Sequence, residues 1–176
     1  ENLGKLLSHN LSLNAKEGYL GEWISVISKS NNTKNTIKLA IVGKYVQLQD
    51  SYLSVKESLI HAGISNNVEI QIEWINSEEI NINNINDIFK DIKGIIVPGG
   101  FDKRGTQGMI YASRYARENK IPYLGLCLGL QIMVIEAARN LLGYEDSNST
   151  EFDETTPFPV IDLMPEQLKN LHKGGS

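Results

Sequence analysis

The chain has 176 residues, 41% hydrophobic and 22% charged, which suits one domain of ordinary size with a sizeable core and excludes wholesale disorder. Seventeen basic against 21 acidic residues give a formal charge of −4, which argues against a non-specific nucleic-acid binder. A single cysteine, Cys127, and three histidines, His9, His61 and His172, exclude an intrachain disulfide framework and a cysteine-based zinc cluster, and leave little for any metal site.

Residues 1–36 read as a preamble. Leu20, Trp23, Ile24 and Ile27 stand at helical spacing and predict one short amphipathic helix, and the polar stretch Ser28 to Thr36 reads as a linker. From residue 37 strands and helices alternate. Ile37 to Gly43 is an apolar run ending at glycine, as a buried parallel strand does. A helix is expected from about Ser51 to Ala62, capped by Asp50 or Ser51 and ended by Gly63. Val68 to Ile75 alternates like a half-buried or edge strand, and the asparagine-rich Asn81–Asn86 reads as the edge of a structured helix. Gly94–Val97 is a second buried strand, stopping at Pro98-Gly99-Gly100. Thr106 to Asn119 is helical, Ile121 to Leu126 is the next strand, and Gly129 to Leu142 is a helix closed by Gly143. Phe158 to Leu163 is a last short strand. The alternation predicts an α/β fold, an open and mainly parallel sheet with helices on both faces. In such a sheet ligands meet the carboxyl ends of the strands, which puts the useful loops after Gly43, Val97 and Leu126. No apolar run reaches the roughly 18 residues that cross a bilayer. The start, Glu1-Asn2-Leu3-Gly4-Lys5, has no initiating Met and no signal-peptide shape. A cytoplasmic domain from a longer protein is therefore expected.

Gly125-Leu126-Cys127-Leu128-Gly129 carries the sharpest chemistry. It follows an apolar strand and opens a helix, the context of a nucleophile elbow. Glycines two residues either side remove the Cβ atoms that would collide in so tight a turn. Unpaired N–H groups at the helix start favour an anion, here a thiolate. A small buried apolar residue is the ordinary fate of a lone cysteine, but the flanking frame favours a nucleophile. Val97-Pro98-Gly99-Gly100-Phe101 is the second feature. If its strand neighbours the elbow strand, the N–H of Gly100 and that of Leu128 can hold an oxyanion; alone, it would be an ordinary turn. Gln131 could aim an amide at a ligand, with a solvated helix residue as the equal alternative. Glu151 could read an ammonium, though loop carboxylates are usually solvated, and Lys103 and Arg104 either meet an anion or decorate a loop. A thiol nucleophile usually needs a base. His61 reads as a helix C-terminal residue, His9 lies in the preamble and His172 has no carboxylate near it in sequence, so none is assigned that role.

These residues resemble a family. Val42-Gly43-Lys44-Tyr45-Val46, Asp50-Ser51-Tyr52, His61-Ala62-Gly63, Val97 to Phe101, Tyr115 to Asn119, Gly125 to Gln131 and Asn148-Ser149-Thr150-Glu151-Phe152 together look like the glutaminase domain of the CTP synthases, class I (triad-type) glutamine amidotransferases with a flavodoxin-like three-layer sandwich. The likeness runs from about Ile37 to Phe152. It implies that Cys127 attacks the side-chain amide of L-glutamine, forms a glutamyl thioester and releases ammonia. It further implies oxyanion-hole N–H groups from Gly100 and Leu128, a wall from Phe101, and glutamine contacts from Gly100, Phe101, Leu128, Gly129, Leu130, Gln131 and Glu151, Glu151 facing the α-ammonium. No cofactor is implied for this domain. For the full-length enzyme the resemblance implies ATP, Mg, UTP, GTP as activator, a synthetase domain in the same chain and a homotetramer. Residues 1–36 would be the connector to that domain, and 37–176 a glutaminase domain that is incomplete at its C-terminal side, since the family's late His-Pro-Glu segment is not in these 176 residues. The fragment alone is therefore expected to be inactive or very weak. The second departure is Asp102, where the family continues Pro-Gly-Gly-Phe with glycine. Another elbow-type thiol hydrolase of this fold, and a non-catalytic pseudo-glutaminase module, are the alternatives.

Overall fold

The computed structural model describes residues 3–14, 20–31 and 35–164. Two helices open it, α1 (Leu3–Asn10) and α2 (Gly21–Asn31), and neither buries a side chain. The second is the expected amphipathic helix. It runs four residues into the stretch read as linker, because Ser28, Lys29, Ser30 and Asn31 are as content on a solvated helical face as in coil; Lys29 also suits the negative end of the helix. The first helix was not anticipated, and residues 32–34 of the linker lie outside the described residues.

The sheet starts at β1 (Asn35–Gly43), whose last four residues are buried. A short 3₁₀ turn, Gln49–Tyr52, leads into α3 (Leu53–Asn66). This corrects both expected boundaries of that helix. No side chain caps its start, because the 3₁₀ turn runs straight into it and the Leu53 N–H finds the Asp50 carbonyl. Gly63 does not end it either. A Cβ at Gly63 would lie 2.7 Å from the Val68 carbonyl oxygen, so glycine serves close packing on the next strand. The left-handed stop is Asn67 (φ 60°).

Next come β2 (Val68–Asn76), the four-residue helix α4 (Ile85–Ile88), β3 (Gly94–Val97), α5 (Thr106–Glu118), β4 (Tyr123–Gly125) and α6 (Leu128–Asn140). The asparagines before α4 knit its entry: the Asn81 N–H donates to Asn84 Oδ1 and the Asn84 amide donates to the Glu79 carbonyl. β4 is shorter than the expected strand because Ile121 N–H is already committed to the Ala116 carbonyl of α5. All four strands are parallel, in the order β2-β1-β3-β4.

Alternate strand residues face opposite sides. Ala40, Val42, Ile95 and Val97 pack with Met109 and Ala112 of α5 and with Leu128, Ile132 and Ile135 of α6. Ile41 and Ile96 face a smaller cluster with Tyr52 and with Val55 and Leu59 of α3. Each enclosed isoleucine contributes about 1.5–3 kcal/mol through burial. The expected open parallel sheet with helices on both faces is what forms.

A small parallel pair follows, β5 (Ser147–Ser149) and β6 (Phe158–Ile161). β6 falls within the expected last strand. β5 was not expected, since Ser-Asn-Ser has no apolar signal; it exists because β6 and the Arg139 side chain, which donates to the Ser147 carbonyl at 2.7 Å, take up its backbone. Among the described residues no helix is long and apolar enough to cross a membrane.

Candidate active site

β3 and β4 are neighbours, so the loops leaving them meet at one end of the sheet. Between β4 and α6 the chain turns within two residues. Cys127 takes φ 52°, ψ −107°, a backbone state that a residue with a Cβ adopts only under constraint, and its side chain is exposed. The constraint is backbone packing. A Cβ on Gly125 would run into the Gly129 backbone, and a Cβ on Gly129 would run into the Val97 carbonyl. Behind the turn, Tyr123 donates its hydroxyl to the Gly129 carbonyl at 3.0 Å, and burial pushes that phenol's pKa up. Leu128 opens α6, so its N–H is among the four without an intrahelical acceptor.

The loop after β3 lies against this turn. A Cβ on Gly99 would be 3.5 Å from the Cys127 Cβ, and one on Gly100 would be 3.3 Å from Leu128 Cδ2. Phe101, the next residue of the loop, is 77% exposed. The next residue, Asp102, stands at φ 63° in the left-handed region. Glycine would take this conformation freely, and Asp is among the few others that tolerate it. Its carboxylate accepts the Arg104 N–H at 2.6 Å, the main reason its pKa lies below the usual carboxylate range. Lys44, the residue after β1, reaches the same loop with an ammonium that donates to the Phe101 carbonyl at 2.7 Å, to the Asp102 carbonyl and to Asp102 Oδ1 at 3.5 Å. Desolvation lowers the Lys44 pKa; Asp102 opposes that shift.

Gln131, half-buried one turn into α6, and the exposed Glu151 line one open cavity of about 850 Å³. Glu154 and Asp162 line it too, which makes its polar side acidic and suited to an ammonium. Glu151 is set by its neighbours: its N–H donates to Ser149 Oγ, while Thr150 N–H donates to the Ile161 carbonyl of β6.

The structure therefore brings Cys127 and Leu128 against Gly99 and Gly100, with Phe101 next along the loop, Gly129 buried beneath the turn and Leu130 exposed on the first turn of α6. Gln131 and Glu151 meet in the cavity. Lys103 is exposed. Arg104 pairs with Glu78 at 3.4 Å and lies over the Tyr45 ring. Of the histidines, His9 lies on α1; His61 is exposed on α3, five residues short of its end rather than at it. His172 lies outside the described residues. Lys44 is the residue to which the sequence reading gave no role. Its signals were its place directly after a buried strand and its part in the Val42–Val46 segment of the family resemblance.

An exposed thiol on a constrained strand–helix turn, with a glycine loop against it, has the backbone geometry of an elbow on an open α/β sheet. A family model described as glutamine amidotransferase class-I matches residues 47–173. The chain belongs to the class I glutamine amidotransferases. Curated relatives include CTP synthases: that of Clostridium beijerinckii is 50% identical over all 176 residues, covering 33% of the relative. The Ruminiclostridium cellulolyticum protein is 51% identical over the same 176 residues and 33% of its length. The one from Pyrococcus furiosus is 50% identical over 175 residues, 99% of this chain and 32% of that protein. The chain thus spans about a third of the length of these relatives. Among solved structures, the Trypanosoma brucei CTPS glutaminase domain with bound acivicin matches with a TM-score of 0.68 and 40% identity, over 73% of this chain and 50% of that one. The resemblance read from the residues is borne out.

Proposed function

We propose that this chain is the glutaminase part of a CTP synthase and that Cys127 is its nucleophile. The Cys127 sulfur attacks the side-chain amide carbon of L-glutamine; the C–N bond breaks and the thiol proton leaves with the nitrogen as ammonia. Water then cleaves the thioester to glutamate and restores the thiol. N–H groups of Gly100 and Leu128 stabilise the oxyanion of each step. Phe101, Gly129, Leu130 and Gln131 shape the glutamine site, and Glu151 faces the α-ammonium from the acidic side of the cavity. In the full-length protein the ammonia passes to a synthetase domain that uses ATP and Mg to aminate UTP, with GTP as activator. Residues 1–36 connect the two parts, and the assembly is a cytoplasmic homotetramer.

The observation that carries this reading is the exposed thiol at φ 52° with Gly99 packed against it. Its test is labelling of the full-length protein with a glutamine-analogue electrophile, alongside glutamine hydrolysis. Labelling at Cys127 is expected, and Cys127→Ala should lower hydrolysis by about 10⁴- to 10⁶-fold. Hydrolysis that survives Cys127→Ala sinks the assignment.

A further inference from the structure

We propose that Lys44 and Asp102 form a positioning clamp that holds the Gly100 loop against the elbow, so that Lys44 controls turnover without touching substrate. The inference rests on the glutaminase reading above and deepens it.

The Lys44 side chain has no exposed surface, so it cannot meet a ligand in the cavity. An ammonium has three N–H donors, and the three acceptors around this one all belong to Phe101 and Asp102. Its stem completes the grip. A Cβ on Gly100 would lie 3.8 Å from Lys44 Cδ and 3.3 Å from Leu128 Cδ2, so the lysine stem and the elbow helix both lie close to Gly100. A buried ammonium without partners is costly. The loop therefore cannot swing off the elbow without stranding Lys44, and that penalty keeps Gly100 in place.

Asp102 explains itself in the same terms. Glycine, which the family resemblance leads one to expect here, would satisfy φ 63° but supply no carboxylate. Asp102 tolerates the conformation, takes the Arg104 N–H and gives Lys44 its third acceptor. The charged or titratable groups facing Lys44 are Asp102 and Arg104 on the loop and Glu151 beyond β5. The Tyr52 hydroxyl adjoins the Lys44 backbone from the 3₁₀ turn before α3.

The test uses full-length protein and Lys44→Met, which keeps the stem and removes the ammonium. Displacing an oxyanion donor slightly should lower kcat for glutamine hydrolysis by about 10- to 100-fold. KM should stay within about threefold and iodoacetamide alkylation of Cys127, which develops no oxyanion, within about twofold. Asp102→Asn, at an exposed position, keeps an acceptor for Arg104 N–H but drops the charge that sustains Lys44 protonation. Its kcat should fall by about two- to fivefold, and the alkaline loss of kcat should move to lower pH. Wild-type kcat in Lys44→Met overturns the clamp, as does an equal loss of kcat and of iodoacetamide reactivity. If Lys44→Met does not fold, an unmoved alkaline limb in Asp102→Asn overturns it instead. Glutamine hydrolysis surviving Cys127→Ala defeats the glutaminase reading itself. Hydrolysis lost in Cys127→Ala but undiminished in Lys44→Met defeats only the clamp.

Discussion

Two neighbouring loops each hold a non-glycine residue at positive φ, and they do so by different physics. Cys127 is kept at φ 52° by backbone packed on backbone, with Gly125 against Gly129 and Gly129 against Val97. Asp102 is kept at φ 63° by polar contacts, its own carboxylate on the Arg104 N–H and the Lys44 ammonium on the loop carbonyls. Packing of the first kind has no titratable part and should ignore pH and salt. The second kind depends on charge and should answer to both. A rigid turn thus presents the thiol, while the loop packed against it is held by charged groups.

The largest effect should come from attacking the packed turn. Gly129→Ala drives a methyl into the Val97 carbonyl, and we expect a loss of about 3 kcal/mol or more in denaturant unfolding; an unchanged midpoint would break the packing account. Arg117→Met tests the layer behind it. Arg117 grips Glu136 of α6 through Nε at 3.1 Å and Nη2 at 2.8 Å, and Glu136 is buried. Leaving that carboxylate only the Asn140 amide as donor should cost about 3 kcal/mol, judged by the usual penalty for breaking a buried pair, measured in the same unfolding assay. Cys127→Gly works in the opposite direction. It relieves the backbone strain and should stabilise the fold by about 1 kcal/mol while removing the thiol; destabilisation would mean that no strain is stored there.

The smallest effect separates the two loops by pH. The Asp102 carboxyl is held below its ordinary pKa, chiefly by the Arg104 N–H. A depressed carboxyl contributes stability above its unfolded value near 3.9, and that contribution disappears as pH falls through the folded value. Amide exchange at Arg104 should therefore quicken relative to Leu128 as pH drops below about 4, after correction for intrinsic rates. Equal behaviour of the two amides would erase the distinction between them.

Much of the architecture was legible beforehand, because a buried parallel sheet writes itself as short apolar runs ending at glycine or proline. Gly94–Val97 and the glycine frame around Cys127 lie where expected, while the Ile37–Gly43 run starts two residues early, because Asn35 and Thr36, read as linker, pair with Val68 and Glu69. Ends of elements were less legible. The start of α3 depends on a 3₁₀ turn, and its end on Asn67, because Gly63 was needed for contact with Val68. β5 was invisible because Ser-Asn-Ser becomes a strand only when β6 is beside it. Lys44 was readable as a residue but not as a contact, since its partners are 57 and 58 positions away.

By itself the sequence determined the strand–helix alternation, the tight turn at Cys127 and the family, since apolar period and glycine placement are local properties of the chain. Only the tertiary structure decided that β3 lies beside β4, that Gly99 meets Cys127, and that Lys44 crosses from β1 to fasten the loop between them. Those contacts arise when distant segments exclude water together, and no local rule records which segments will meet.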